Sequence, residues 1–288
     1  MNRIVTVLGG TGTSGSAVAE ALVRSGARTR IVTRSPDGAG AQRLAALGCE
    51  PVKADLFDQV SVQAALRGSD AVYLAGASKT DRWNSGEAIQ GMIAIDAALA
   101  AGVGHFIYQS ALVADARGVL GNGSKRAIEE RLAELELPAT ILRPAIFMEN
   151  LLTHSLPRRN EAGQLVVAMA LPVDLRRGYI SVRDIGRAAV RVVTAGPGSS
   201  GTIHEIVGDD VSLADIARIV GELIDEAVVA VSVPLEKLQE ISPPVAAVYR
   251  WLTERAGGES HAPFQALVGP PLGFRAWAAH YLVPALKS

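Results

Sequence analysis

A single cysteine, Cys49, stands in a chain of 288 residues. One thiol can form neither an internal disulfide nor a cysteine zinc cluster, which predicts a reducing, cytoplasmic setting. Charge of one sign is also missing. Lys and Arg total 28 against 29 Asp and Glu, a net charge of −1, without the basic excess of a nucleic-acid or anionic-membrane binder. No apolar run approaches the ~18 residues of a spanning helix. Met1-Asn2-Arg3 passes straight into an apolar run, which predicts no signal peptide. There is no internal repeat, no low-complexity segment, and no His-x-x-x-His or paired-carboxylate pattern of a metal site. Hydrophobic residues at 49% and charged residues at 20% exclude a disordered chain and define a packed globular protein.

What is present is an alternation. Strands are predicted over Arg3–Leu8, Arg28–Thr33, Glu50–Lys53, Ala71–Leu74, His105–Gln109 and Ala139–Arg143. Helical spacing is read over Ala17–Ser25, Ala41–Leu47, Gln59–Leu66, Ala88–Ala101 and Ser124–Leu135. Gly26, Gly48 and Gly68 follow three of these helices as stops, and Asp58 is placed to cap Gln59–Leu66. Strands separated by helices of this length imply right-handed crossovers and a parallel sheet buried on both faces. Beyond Pro144 the rhythm breaks. A strand is read at Gln164–Ala168, a helix at Val182–Val193, and a loop from Gly196 to Gly201. Ser212-Leu213-Ala214-Asp215 has the form of a capping box for a helix reaching Leu223. The expected fold is a Rossmann-type, doubly wound α/β sheet over residues 1–150, with a smaller C-terminal substrate or cap region over 151–288, of which 182–206 returns to the first domain.

Between the first strand and helix lies Gly9-Gly10-Thr11-Gly12-Thr13-Ser14-Gly15. It satisfies G-x-G-x-x-G through Gly10, Gly12 and Gly15. Bare backbone is what a dinucleotide needs here: one glycine for the tight turn, one for the approach of the pyrophosphate, one for close packing of helix on strand. The phosphates then rest on unpaired N–H groups at the positive end of the helix. At the end of the second strand stands Thr33-Arg34-Ser35. An acidic residue there would bond a ribose 2′-hydroxyl and favour NAD(H), whereas the fork of Arg34 suits a 2′-phosphate. NADP(H) is therefore expected over NAD(H), with Asp37 nearby as the opposing charge.

Val7 to Gly15, Val32-Thr33-Arg34, Leu142 to Leu152 (with Arg143-Pro144-Ala145-Ile146-Phe147-Met148-Glu149-Asn150 its most specific part) and Ile180 to Gly186 resemble the NmrA-like family. This is an atypical branch of the short-chain dehydrogenase/reductase superfamily, and the resemblance covers about three-quarters of the chain. It implies that Gly9, Thr11, Gly12, Thr13, Ser14 and Gly15 cradle the pyrophosphate, with Arg34 on the 2′-phosphate. By the same resemblance Asp55 and Leu56 flank the adenine, and Ala75, Gly76 and Ala77 pass under the cofactor. Lys125 reaches the nicotinamide ribose, and Phe147, Glu149 and Asn150 lie near the nicotinamide and the substrate pocket.

Lys125 stands out independently. It shares a face with Ile128, Leu132 and Leu135, and a cation in a helix's first turn opposes the dipole by ~0.3–1 kcal/mol. Such a lysine calls for a partner, for which a ribose hydroxyl or phosphate is expected. Ordinary short-chain dehydrogenases carry a catalytic tyrosine four residues earlier; here that position is Gly121. Ser110, at the end of the fifth strand, offers a pocket hydroxyl, but a Ser–Lys pair is a poor acid for alkoxide-forming reactions. Sugar epimerases and alcohol dehydrogenases are thereby disfavoured. Hydride transfer to a quinone, an azo dye or another strongly electrophilic acceptor remains feasible, because its product is delocalised or readily protonated.

Of the histidines, His105 and His204 read as structural and His154 as a pocket candidate; Tyr179 and Trp83 are candidates for apolar pocket surface. The expected function is an NADPH-dependent quinone or azo reductase; the alternatives are a non-catalytic NADP(H) sensor that binds a partner protein and a reductase of the isoflavone or benzylic-ether type. A monomer or homodimer is expected, with no nucleic-acid or membrane partner.

Overall fold

The computed structural model describes residues 3–76, 85–115, 123–255 and 258–287. Ala77, Trp83 and Gly121 lie outside them. The strands are β1 (Ile4–Leu8), β2 (Arg28–Thr33), β3 (Glu50–Lys53), β4 (Ala71–Leu74), β5 (His105–Gln109), β6 (Ala139–Pro144), β7 (Ile146–Phe147), β8 (Arg158–Arg159), β9 (Leu165–Met169), β10 (Arg177–Ile180), β11 (Ile203–Ile206), β12 (Asp209–Val211) and β13 (Val228–Ser232). The helices are α1 (Thr13–Arg24), α2 (Ala39–Ala46), α3 (Gln59–Leu66), α4 (Ser85–Ala100), α5 (Gly123–Ala133), α6 (Val182–Ala195), α7 (Leu213–Ile224), α8 (Leu235–Ile241), α9 (Pro243–Glu254), α10 (Ala262–Val268), α11 (Phe274–Trp277) and α12 (Val283–Lys287).

Two compact units divide the chain. The first draws on Met1–Asp115, Asn122–Pro144 and Val182–Glu205. Its seven-stranded sheet runs β11-β6-β5-β4-β1-β2-β3 and is parallel, the expected doubly wound fold. Consecutive strands step outward from β1 in one direction and from β4 in the other, so the order reverses between β1 and β4. That reversal opens a crevice at the carboxyl ends of the strands, where such sheets take their ligands. Leu8, Val72, Leu74, Phe106 and Tyr108 pack on one face against Ile95, Ala98, Ile128 and Leu132 of α4 and α5. On the other face α1 packs against α6.

Local signals account for most boundaries. The Asp58 carboxylate accepts from the Val60 N–H at 3.1 Å, opening α3 where expected. Three helices start earlier than their apolar periodicity: α1 at Thr13, not Ala17, α2 at Ala39, not Ala41, and α4 at Ser85, not Ala88. For α1 and α2 the cap is a glycine, Gly12 or Gly38, with no side-chain hydrogen bond to announce it. The first strand likewise starts at Ile4 and the ninth at Leu165, each one residue late.

Among the described residues, the second unit draws on Ala145–Ser181 and Ile206–Ser288. It contains two small mixed sheets, β12-β10-β7 and β13-β9-β8. Val167, Met169, Leu213, Ile216, Val220, Phe274, Trp277 and Leu282 form its core. The expected capping box closes α7: Ser212 Oγ accepts from the Asp215 N–H, and the Asp215 carboxylate accepts from the Ser212 N–H. A buried arginine ties the unit together. Arg177 donates to the carbonyls of Leu252, Arg176 and Arg255 at 2.6, 2.7 and 2.7 Å, so its charge rests on the negative end of α9. Tyr179 belongs to this core and not to a pocket surface: it is 1% exposed, its hydroxyl meets Met169 Sδ at 3.4 Å, and its ring stands edge-on to Phe274.

Candidate functional site

The glycine loop turns sharply from β1 into α1. The Gly12 N–H returns to the Gly9 carbonyl at 3.0 Å, and the first helical bond runs from Ser16 N–H to Gly12 O. The N–H groups of Thr13, Ser14 and Gly15 have no acceptor among the described residues. No acidic side chain stands in this first turn. Three converging donors at the positive end of a 12-residue helix make a cradle suited to an anion. Close approach is built in: a Cβ on Gly15 would lie 2.2 Å from the Gly9 carbonyl oxygen, so only glycine fits. Thr11, Gly12 and Thr13 are exposed, while Ser14 and Gly15 are buried. The residues present therefore fit a dinucleotide's diphosphate.

Across the crevice, at the end of β4, Ala75 approaches the loop: its Cβ lies 3.6 Å from the position of a Cβ on Gly9. Gly76 then adopts φ +52°. A side chain there would meet Glu87 Oε1 at 2.9 Å and Lys125 Nζ at 3.7 Å. Lys125, in the first turn of α5, already has a protein partner, the Glu87 carboxylate at 2.5 Å. Ser124 Oγ donates to the other Glu87 oxygen at 3.0 Å.

Behind the cradle runs a buried polar chain. Tyr73 OH donates to Gln109 Oε1 at 2.9 Å, and Gln109 Nε2 donates to Ser14 Oγ at 3.0 Å. Ser110 follows β5 and is buried; its hydroxyl and that of Tyr108 interact with each other and meet no further partner among the described residues. Burial, reinforced by the charges of Glu87 and Glu129, holds the Tyr108 phenol well above its ordinary range. A fully buried phenol held so firmly protonated does not replace the tyrosine missing at Gly121. Glu129 is neutralised in turn by a two-pronged pair with Arg143, at 3.1 and 2.6 Å.

At the end of β2 Arg34 is exposed, and its guanidinium has no partner among the described residues. Asp37 is also exposed. Thr11 lies beside the start of α2, its Cβ 3.8 Å from a Cβ placed on Gly40. After β3 the Asp55 carboxylate accepts from the Phe57 N–H at 3.1 Å, and Leu56 packs on the sheet's core. The structure thus brings the loop, Ala75, Gly76, Lys125, Glu87 and Gln109 together, with Arg34, Asp55 and Leu56 following neighbouring strands.

The remaining candidates belong to the second unit. Phe147 and Asn150 are half-buried and His154 is exposed, its Nδ1 3.3 Å from Thr153 Oγ1. Glu149 is more constrained: one oxygen accepts from Ser181 Oγ at 2.9 Å and from the Trp277 indole N–H at 3.0 Å. Both expected structural histidines sit in strands. His105 bonds Thr140 Oγ1 at 2.9 Å, and burial, with Arg3 nearby, lowers its pKa to about 4. Burial lowers that of His204 as well.

Motif reading missed Glu87, Gln109 and Tyr73. A signal existed for one of them. Gln109 ends a buried strand within a sheet covered on both faces, where a polar side chain needs a partner. Among the described residues no cluster of His, Cys, Asp and Glu could hold a metal ion, and no helix is long and apolar enough to cross a membrane.

This is a doubly wound α/β protein whose glycine loop, with its acceptor-free N–H groups, lies at the strand-order reversal. The model of the NmrA-like family matches residues 1–255, and the chain belongs to that family. It is 31% identical to quinone oxidoreductase 2 of Escherichia coli over 206 residues, spanning 72% of this chain and 69% of that one. The NAD(P)H azoreductase of Xenophilus azovorans is 28% identical over 240 residues, 82% of this chain and 79% of its own. In fold the chain is similar to NmrA, a negative transcriptional regulator solved with NADP and with NAD. Each complex has a TM-score of 0.82 at 16% identity, covering 99% of this chain and 97% of NmrA.

Proposed function

We propose that this protein is an NADPH-dependent reductase of quinones, azo compounds or similarly electrophilic acceptors. The observation that carries this reading is the set of three acceptor-free N–H groups at Thr13, Ser14 and Gly15, which invites a diphosphate. Gly9, Thr11 and Gly12 complete the turn around it. The free guanidinium of Arg34 would select the 2′-phosphate. Asp55 and Leu56 would flank the adenine, Ala75 and Gly76 would form the floor, and Lys125 would offer its remaining donors to a ribose hydroxyl. When bound, the nicotinamide supplies a hydride. The roles of Phe147, Glu149, Asn150 and His154 toward nicotinamide and acceptor rest on the family resemblance, and Ser110 is retained as a hydroxyl at the end of β5.

The names of the two curated relatives support the choice of acceptor. Without a tyrosine acid at Gly121, the chemistry is restricted to acceptors whose reduced forms take a proton from water readily. Steady-state NADPH oxidation across a panel of quinones and azo dyes tests the reading; turnover with at least one acceptor class is expected. Tight NADP(H) binding with no turnover on any acceptor would favour the second reading, a redox sensor acting through a partner protein. Both the fold likeness to NmrA and Gly121 speak for that alternative.

A further inference from the structure

Glu87 belongs to no coenzyme motif, yet it stands at the crevice. Its Oε1 lies 2.9 Å from the position of a Cβ on Gly76, the residue at the end of β4. Both carboxylate oxygens are held by the first turn of α5, one by Lys125 Nζ at 2.5 Å and one by Ser124 Oγ at 3.0 Å. The Glu87 and Lys125 side chains are only 14% and 21% exposed, so solvent screens the pair weakly. Each is also placed where its partner matters: Lys125 opposes the dipole of α5, while Glu87, in the first turn of α4, favours the dipole of that helix.

Resting on the coenzyme-binding reading above, the geometry points to Glu87 as the positioning residue for Lys125, and to neutralisation of Glu87 as a principal task of Lys125. The lysine has three donors. One is committed to Glu87, which pins Nζ beside Gly76 and leaves two for a ligand hydroxyl. The carboxylate in turn is tolerable near an anionic diphosphate only because the ammonium cancels it. Removing the lysine therefore does more than delete a ligand contact; it uncovers a negative charge at the edge of an anion site. Removing both members deletes the contact but not the neutrality.

The test is the dissociation constant of NADPH, by nucleotide fluorescence, for wild type, Lys125→Met, Glu87→Gln and the double variant, with thermal melting to establish that each is folded. Lys125→Met is expected to weaken binding about ten- to a hundredfold, from charge effects at crevice distances. Glu87→Gln keeps the shape and the Ser124 bond; loosening Lys125 weakens binding while loss of the negative charge strengthens it, so the opposed effects should leave binding within about threefold of wild type. The double variant should bind about tenfold more tightly than Lys125→Met. That rescue cannot come from a purely structural role, which would add the two losses. A double variant no tighter than Lys125→Met overturns the inference while leaving the coenzyme reading intact, because wild type still binds. No NADPH binding by wild type overturns both. Lys125→Gln in the same two backgrounds repeats the comparison if the methionine variant does not fold.

Discussion

Gln109 and Ser14 are joined by a 3.0 Å hydrogen bond between the central sheet and the first turn of α1, ninety-five positions apart in sequence. Tyr73 completes the chain from the neighbouring strand. The glycine loop is thus bolted to the sheet by a buried polar relay. Replacing Gln109 with Leu leaves the Tyr73 hydroxyl without its acceptor and frees Ser14. A loss of about 1–3 kcal/mol in urea unfolding is expected, together with weaker coenzyme binding. A variant as stable as wild type would show that the relay contributes nothing to the fold.

In the proposed site Arg34 is the residue that would read the 2′-phosphate directly. Arg34→Glu should weaken NADPH by at least about tenfold, the scale of one charge-assisted contact, and NADH far less. Equal losses for the two coenzymes, measured by fluorescence titration, would remove Arg34 from that role.

Gly15→Ala places a methyl group 2.2 Å from the Gly9 carbonyl oxygen. Backbone, not a flexible side chain, must move. The loop can relieve the clash only by opening, so coenzyme binding should be lost, and stability should fall by about 1–3 kcal/mol as for other overpacked sites. Unchanged NADPH affinity in this variant would contradict the cradle.

His105 should give the fold a measurable acid sensitivity. Burial lowers its folded pKa from 6.5 to about 4. Above about pH 6.5 the ring is neutral in both states. As pH falls toward 4 the unfolded chain takes up a proton that the folded chain refuses, so stability declines and the loss levels off below the folded value. The full contribution is roughly 3 kcal/mol. Urea unfolding of wild type and His105→Gln between pH 7 and 4 measures it: the wild type should lose more, and parallel profiles would refute the assignment.

Much of this was legible in the sequence, and the parts that were not share a cause. The strands of the seven-stranded sheet announce themselves as short apolar runs, and caps such as Asp58 and Ser212–Asp215 are local hydrogen bonds between residues two or three apart. The early start of α1 is hidden because the same glycines that hold a phosphate mask a helix. Glu87 was invisible because its partner lies thirty-eight positions away, on another helix. Likewise nothing near Glu149 foretells that one of its oxygens receives the Trp277 indole from 128 positions on. In the C-terminal third, α8 and α10 are too short for an apolar period to emerge. A π-helical turn over Ala278–Leu282 joins α11 to α12 and interrupts the 3.6-residue period, and Pro243-Pro244 sits at the start of α9, where proline is tolerated.

Calorimetric titration of the purified protein with NADPH and with NADH addresses the coenzyme site without any assumption about acceptor. Saturable one-to-one binding is expected, tighter for NADPH, and abolished in Gly15→Ala. Heats indistinguishable from dilution for both coenzymes, reduced and oxidised, would contradict the reading of the glycine loop as a diphosphate cradle.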